Sequence, residues 1–290
     1  MNETGARPTV LDLLNRSASY LAARGSSSPR LDAEVLLADI LGCSRIQLYV
    51  GFDRGLDERT VDLYRQAIMR RGRREPVAYI TGRKEFMGRQ LHVSRDVLVP
   101  RPETELMAEA AVEAAGGLER PLAAELCCGA GAAGIHFAIS VPGAHIVFTD
   151  ISECALEVAS RNVSEYGLSD RTELFSGDLF DALPEGFRGK FDVIMANPPY
   201  IASSEIDGLE PEVARHEPRL ALDGGPDGLQ FYRRICTEAP VWIKPQGSLV
   251  MEIGSSQSGP VSSMLHEAGF KQVRIRKDLA GLDRVVLATA

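Results

Sequence analysis

The sequence predicts an α/β fold, a parallel or mostly parallel sheet with helices on both faces, preceded by a small all-helical module. Three observations carry this. From residue 121 onward, short apolar runs alternate with helical stretches, which is the pattern of βαβ units. Residues 1–85 instead place their apolar side chains at helical spacing. A loop of small residues, Cys127-Cys128-Gly129-Ala130-Gly131, separates the first apolar run from a helix, where sheets of this kind bind ligands.

With 290 residues, 44% apolar and 25% charged, the chain is long enough for two domains or one large one. The N-terminus has no apolar h-region, and no stretch approaches eighteen uncharged apolar residues, so neither a signal peptide nor a membrane span is expected. Five cysteines, an odd number, fit a reducing cytoplasm better than a disulfide framework. Residues 1–85 carry 14 Lys and Arg against 11 Asp and Glu, whereas residues 86–290 carry 18 against 29. So acidic a main body argues against wrapping a DNA duplex, which needs many phosphate contacts.

Taking the chain in order, residues 8–25 form a helix with Val10, Leu13, Leu14, Leu21 and Ala22 on its apolar side. A second runs from Leu31 to Leu41 and stops at Gly42, and a third from about Asp57 to Arg71. The run Arg70, Arg71, Arg73 and Arg74, with Arg83 and Lys84 behind it, suits a solvated face or a docking surface for phosphate or acidic groups. Residues 86–102 form a β-hairpin linker, with weak alternation at Leu91, Val93, Val97 and Val99. Pro102 opens a helix with Glu103 and Glu105 in its first turn, where the dipole favours acids. Strands are expected at 122–127, 145–149, 172–175, 191–196, 247–253 and 284–289.

The small-residue loop lets backbone approach a ligand and aims helix N–H groups at it. Asp150 ends the next strand, about twenty-five residues after the loop strand begins, where an acid accepts both hydroxyls of a ribose. Asp178 follows the third strand at the same edge of the sheet, and Glu125 ends the first. Singly, Asp150 or Asp178 could as well be a cap or turn residue; with Glu125, the loop and Asn197-Pro198-Pro199-Tyr200, all at strand ends, a ligand site is the better reading. Cys127 at the first small position lacks the freedom of glycine, so ordinary backbone dihedrals are expected there.

The fourth strand ends in Asn197-Pro198-Pro199-Tyr200. Two prolines remove two N–H donors, which leaves a loop that presents carbonyl oxygens. With a planar amide on one side and an aromatic face on the other, the loop suits a planar NH2 group. The adjacent Cys127 and Cys128 lack zinc-ligand spacing and have no histidine partners, so no metal is expected. They pack the loop instead. His136 is a surface or packing residue, and the histidines at 92, 145, 216 and 266 carry no motif.

Together, the ribose acid, the loop and Asn197-Pro198-Pro199-Tyr200 resemble an S-adenosylmethionine-dependent methyltransferase. More narrowly, the chain resembles the HemK/PrmC family of protein-glutamine N5-methyltransferases, which modify peptide chain release factors. The resemblance rests on Glu75 to Gly82, Val97 to Glu105, Asn197 to Ile201, Glu217 to Leu229, Met251 to Gly254 and Gly281 to Val286. Where the family usually has Asp-Leu-Gly-Thr-Gly-Ser-Gly, this chain has Glu125-Leu126-Cys127-Cys128-Gly129-Ala130-Gly131.

The resemblance implies a Rossmann-like class I methyltransferase domain over 103–290, with residues 1–85 as a helical substrate-docking domain. It implies Asn197, Pro198, Pro199 and Tyr200 as the catalytic set, with Tyr200 covering the acceptor amide. Glu125, Cys127, Cys128, Gly129, Ala130, Gly131, Asp150, Asp178, Leu179 and Asn197 would hold S-adenosyl-L-methionine and its product S-adenosyl-L-homocysteine. The expected partner is a release factor. Two alternatives are a divergent member that methylates a small molecule and an adenine N6-methyltransferase, which shares the Asn-Pro-Pro-Tyr.

Overall fold

The computed structural model describes residues 7–290. The first six residues of the helical module lie outside the described residues. The chain divides into two units, one of Met1–Gly82 with Glu210–His216 and one of Arg83–Leu209 with Glu217–Ala290.

The first unit contains α1 (Val10–Ala23), α2 (Pro29–Leu41), α3 (Arg45–Val50), α4 (Glu58–Gly72) and α5 (Val77–Thr81), together with α9 (Pro211–His216) from later in the chain. Its ends follow from local chemistry. Thr9 and Asp12 form a reciprocal capping box at α1, so the helix starts at Val10 rather than residue 8. Asp57 accepts the Thr60 N–H at 2.8 Å and caps α4. Gly42, at φ 61°, ends α2. The helices α3 and α5, of six and five residues, are too short to show a period in the sequence. Leu14, Leu21, Leu36, Leu37, Leu48 and Tyr64 fill the core.

Within the arginine run, Arg70, Arg71 and Arg74 meet acids rather than forming a free solvated face, while Arg73 and Arg83 are exposed. Arg71 is buried, with its guanidinium 2.6 Å from Asp32 and 2.8 Å from Glu212. Arg74 grips the same Glu212 through two bonds, at 2.7 and 2.6 Å, and Arg70 grips Glu75 at 2.9 and 2.7 Å. The acidic partners come from the chain itself, and they fasten α9 to the unit. Removing one member of a buried ion-pair cluster strands the others. Arg71→Ala is therefore expected to destabilise this unit by about 3–5 kcal/mol. Urea unfolding of the whole chain measures this, and an unchanged transition would show that the cluster holds nothing.

The second unit opens with a two-stranded hairpin, β1 (Arg83–Phe86) and β2 (Arg89–His92), three residues earlier than the sequence suggests. Its turn is Met87-Gly88, both at positive φ, 51° and 73°. Methionine is a poor residue for that region, which hides the turn from sequence reading. The Met87 N–H is held by the Glu105 carboxylate at 3.1 Å. Residues 93–101 form no strand, and the weak alternation there reflects the burial of Val93, Val97 and Val99.

After α6 (Pro102–Ala114) come β3 (Leu122–Leu126), α7 (Ala132–Ser140), β4 (His145–Asp150), α8 (Glu153–Glu165), β5 (Thr172–Ser176) and β6 (Phe191–Ala196). The remaining elements are α10 (Gln230–Trp242), β7 (Ile243–Glu252), α11 (Ser258–Glu267), β8 (Gln272–Lys277) and β9 (Asp283–Thr289). The sheet order is β5-β4-β3-β6-β7-β9-β8, with the first five strands parallel and β9 antiparallel to both neighbours. Successive residues feed opposite faces. Val193 and Met195 join one core with Phe137 and Phe148, while Ile194 and Ala196 join the other with Tyr232 and Trp242. Burial on both faces makes the central strands read as unbroken apolar runs. The edge strand β8 interleaves Arg274, Arg276 and Lys277 and escapes that reading.

The chain leaves β3 for β4 on one side and later reaches β6 on the other. Strand order therefore reverses at the carboxyl ends of β3 and β6, where a crevice opens.

Candidate active site

A cavity of about 380 Å³ occupies that crevice, within the second unit. On one side it is lined by the loop after β3. Cys127 stands at φ 53°, in the left-handed region, so the expectation of ordinary dihedrals there is wrong. Neighbouring bonds hold the turn. The Cys128 N–H reaches Thr149 O at 3.0 Å, and the Gly131 N–H reaches Cys128 O at 2.7 Å. A non-glycine residue in a sparse region costs about 1–3 kcal/mol and persists where surroundings over-determine it. Burial raises both thiols above their usual pKa, so they remain neutral packing groups.

Glu125 lies beneath the loop, and its carboxyl accepts the Gly134 N–H at 2.7 Å. It thereby satisfies an otherwise orphan donor in the first turn of α7. Burial pushes its pKa up to about 8. A side chain at Gly134 would put Cβ 2.7 Å from that carboxyl and 2.4 Å from the Phe148 ring, so only glycine fits. Gly131, at φ 75°, is the N-cap of α7 and does not line the cavity.

Asp150 lies across from the loop. Its Oδ2 accepts the Gly129 N–H and its Oδ1 the Ser152 N–H, both at 2.9 Å. A carboxylate has about four acceptor sites, so capacity remains for a ligand beside these bonds. Burial raises the Asp150 pKa against these bonds. No atom lies within 4 Å of where a Cβ on Gly129 would stand, so the loop backbone faces open space there. Asp178 also lines the cavity, but both its oxygens meet Arg234 Nη1, at 3.0 and 2.9 Å. Leu179 beside it is buried at φ 51°.

Asn197 and Pro199 line the other side, whereas Pro198 and Tyr200 do not. Tyr200 directs its hydroxyl to Glu252 Oε1 at 3.3 Å. A half-buried phenol gains by finding that partner, which the expectation of a ring lying over the acceptor leaves out. Asn197 Nδ2 donates to Thr104 Oγ1 at 3.3 Å, and Thr104 donates to Glu252 Oε2 at 2.6 Å. The Asn197 oxygen is thus the end of the amide left for a ligand.

Residues 217–229 support this loop. Ile201 N–H bonds Leu222 O at 3.0 Å, and Gly224 N–H returns to Ile201 O at 2.8 Å. Gly224 has no room for a Cβ, which would fall 2.8 Å from Pro199 O. Gln257 donates to Tyr200 O and Gly228 O at 3.0 and 3.1 Å. At the rim, Arg101 pairs with the buried Glu217 at 2.5 Å.

Comparison with known proteins adds to this geometry. The PrmC N-terminal domain family matches residues 12–82, and the methyltransferase small domain family matches residues 104–214. The release factor glutamine methyltransferase of Rhodopirellula baltica is 40% identical over 96% of this chain and 95% of its own. The chain belongs to the release factor glutamine methyltransferase family. The Geobacter sulfurreducens member is 38% identical over 96% of this chain and 95% of its own. Among solved structures, the hMettl16 catalytic domain bound to a MAT2A 3'UTR hairpin superimposes with a TM-score of 0.54. It is 16% identical, covering 68% of this chain and 74% of that one, and shows the methyltransferase fold alone.

Within this family frame, the α/β reading with its Rossmann-like methyltransferase sheet holds. Thr104, Glu252 and Gln257 carry no functional signal of their own in the sequence. Thr104 and Glu252 lie in segments that carry the resemblance, but nothing local shows that residues 148 positions apart share a hydrogen bond. His136 is half-buried between Arg89 and Ser140, as a packing residue. Among the described residues, no helix is long and apolar enough to cross a membrane.

Proposed function

We propose that this chain transfers a methyl group from S-adenosylmethionine to the side-chain amide nitrogen of a glutamine in a peptide chain release factor. The observation that carries this is the fixed amide of Asn197, which turns its oxygen free at the end of β6, in the same cavity as Asp150. The names of the curated relatives support the same substrate.

The donor supplies a methyl group on a sulfonium, and the C–S bond breaks as the new C–N bond forms. Asp150 would hold the ribose hydroxyls with its remaining acceptor capacity, beside the exposed backbone of Gly129. Asn197 Oδ1 would accept an N–H of the acceptor amide. An amide nitrogen is a weak nucleophile, and this acceptor favours the positive charge that develops on it. Holding two reactants in register can contribute roughly 7–11 kcal/mol of barrier reduction. Neither Asn197 nor the prolines can take a proton, and burial beside Glu252 raises the Tyr200 phenol above its usual value. The amide proton therefore leaves to solvent after transfer. The helical unit would dock the protein substrate.

The test is labelled-methyl transfer to purified release factor, followed by intact mass and peptide mapping. One methyl on one glutamine is expected. Donor binding without any transfer would overturn the proposal.

A further inference from the structure

Behind the Asn-Pro-Pro-Tyr lies a buried relay. Glu252, at the end of β7, is 1% exposed, and each of its oxygens meets a different hydroxyl, Thr104 at 2.6 Å and Tyr200 at 3.3 Å. A threonine hydroxyl has one proton. At 2.6 Å from the carboxylate that proton is committed to Glu252, so Thr104 Oγ1 meets Asn197 as an acceptor. Only the NH2 end of the amide can then face Thr104.

We propose that Glu252 is a positioning residue for methyl transfer: through the Thr104 hydroxyl it fixes which way round the Asn197 amide stands and keeps Oδ1 towards the acceptor. This rests on the function proposed above. A neutral group at Glu252 would itself offer a hydrogen to Thr104. The hydroxyl could then turn and donate to Asn197, which would bring the wrong end of the amide to the acceptor. Burial, with the nearby Glu103, raises the Glu252 pKa to about 7, while Thr104, Tyr200 and Arg284 oppose the rise. Tyr232 faces it too, donating to the Glu252 backbone carbonyl at 2.9 Å. The ionised form enforces the productive amide, so kcat should rise with pH through about 7.

Glu252→Gln and Thr104→Val are compared with Thr104→Ser, which keeps the hydroxyl. The first two should lower kcat by roughly 10–100-fold, as loss of supporting partners commonly does, and Thr104→Ser should restore it. Donor affinity should stay within about threefold, and the pH limb should vanish in Glu252→Gln. A second readout needs no catalysis. In protein labelled with 15N-asparagine and free of donor, the Asn197 side-chain amide signals should titrate near pH 7 in wild type and stay fixed in Glu252→Gln. Thr104→Val with wild-type kcat, or Asn197 signals that ignore pH, would overturn the relay. Should Glu252→Gln fail to fold, Thr104→Val decides. If the wild type methylates no release factor, the function itself fails, and the amide titration still upholds or refutes the orientation.

Discussion

Asn197→Ala is expected to reduce methyl transfer by about 10²–10³-fold or more in kcat, the usual loss when one preorganised hydrogen-bonding group is removed from a site of developing charge. The substitution removes the amide oxygen that receives the acceptor N–H and leaves the Thr104 hydroxyl without its donor. Asp150 and the loop after β3 keep their own bonds, so donor affinity measured by calorimetry should change little. Substrate turnover at the wild-type rate would remove Asn197 from the chemistry.

Asp150→Ala should have the complementary effect. Two hydrogen bonds from ligand hydroxyls to a charged acceptor are worth about 1.5–3 kcal/mol each, so donor affinity should fall roughly 10²–10⁴-fold. The Gly129 and Ser152 N–H groups also lose their acceptor, which loosens the loop. Titration of S-adenosylmethionine into the variant measures the loss. Affinity equal to wild type would show that the ribose is held elsewhere.

Much of this site was legible in the chain because its signals are local. The run Phe191 to Ala196 followed by Asn197-Pro198-Pro199-Tyr200 marks a strand and a donor-poor loop within ten residues. Asp150 is found from the end of its strand taken together with the small-residue loop and the Asn-Pro-Pro-Tyr. What stayed hidden depends on distant partners or on strain. Cys127 takes a glycine-like dihedral that its side chain would ordinarily disfavour, in a turn held by the bonds of its neighbour Cys128 to Thr149 and Gly131. Met87 does the same at the hairpin, which moved its register. Arg71 looks like a surface charge until Asp32 and Glu212 surround it. Glu125 was expected to touch the donor, and it does line the cavity, yet its carboxyl braces the start of α7.

The Glu212 cluster also bears on how the protein can be divided. The helical unit is discontinuous in sequence, since Glu210–His216 returns to it from a point between β6 and α10. A fragment that ends at Gly82 would retain Arg71 and Arg74 while losing the carboxylate both of them grip. The buried guanidinium of Arg71 would keep Asp32 and the Glu75 backbone carbonyl but lose one of its two carboxylates, and desolvated charge without its full set of partners is costly. Gene fusion or dissection at the obvious boundary would thus yield an incomplete module, and a faithful one must carry residues 210–216 on an added linker.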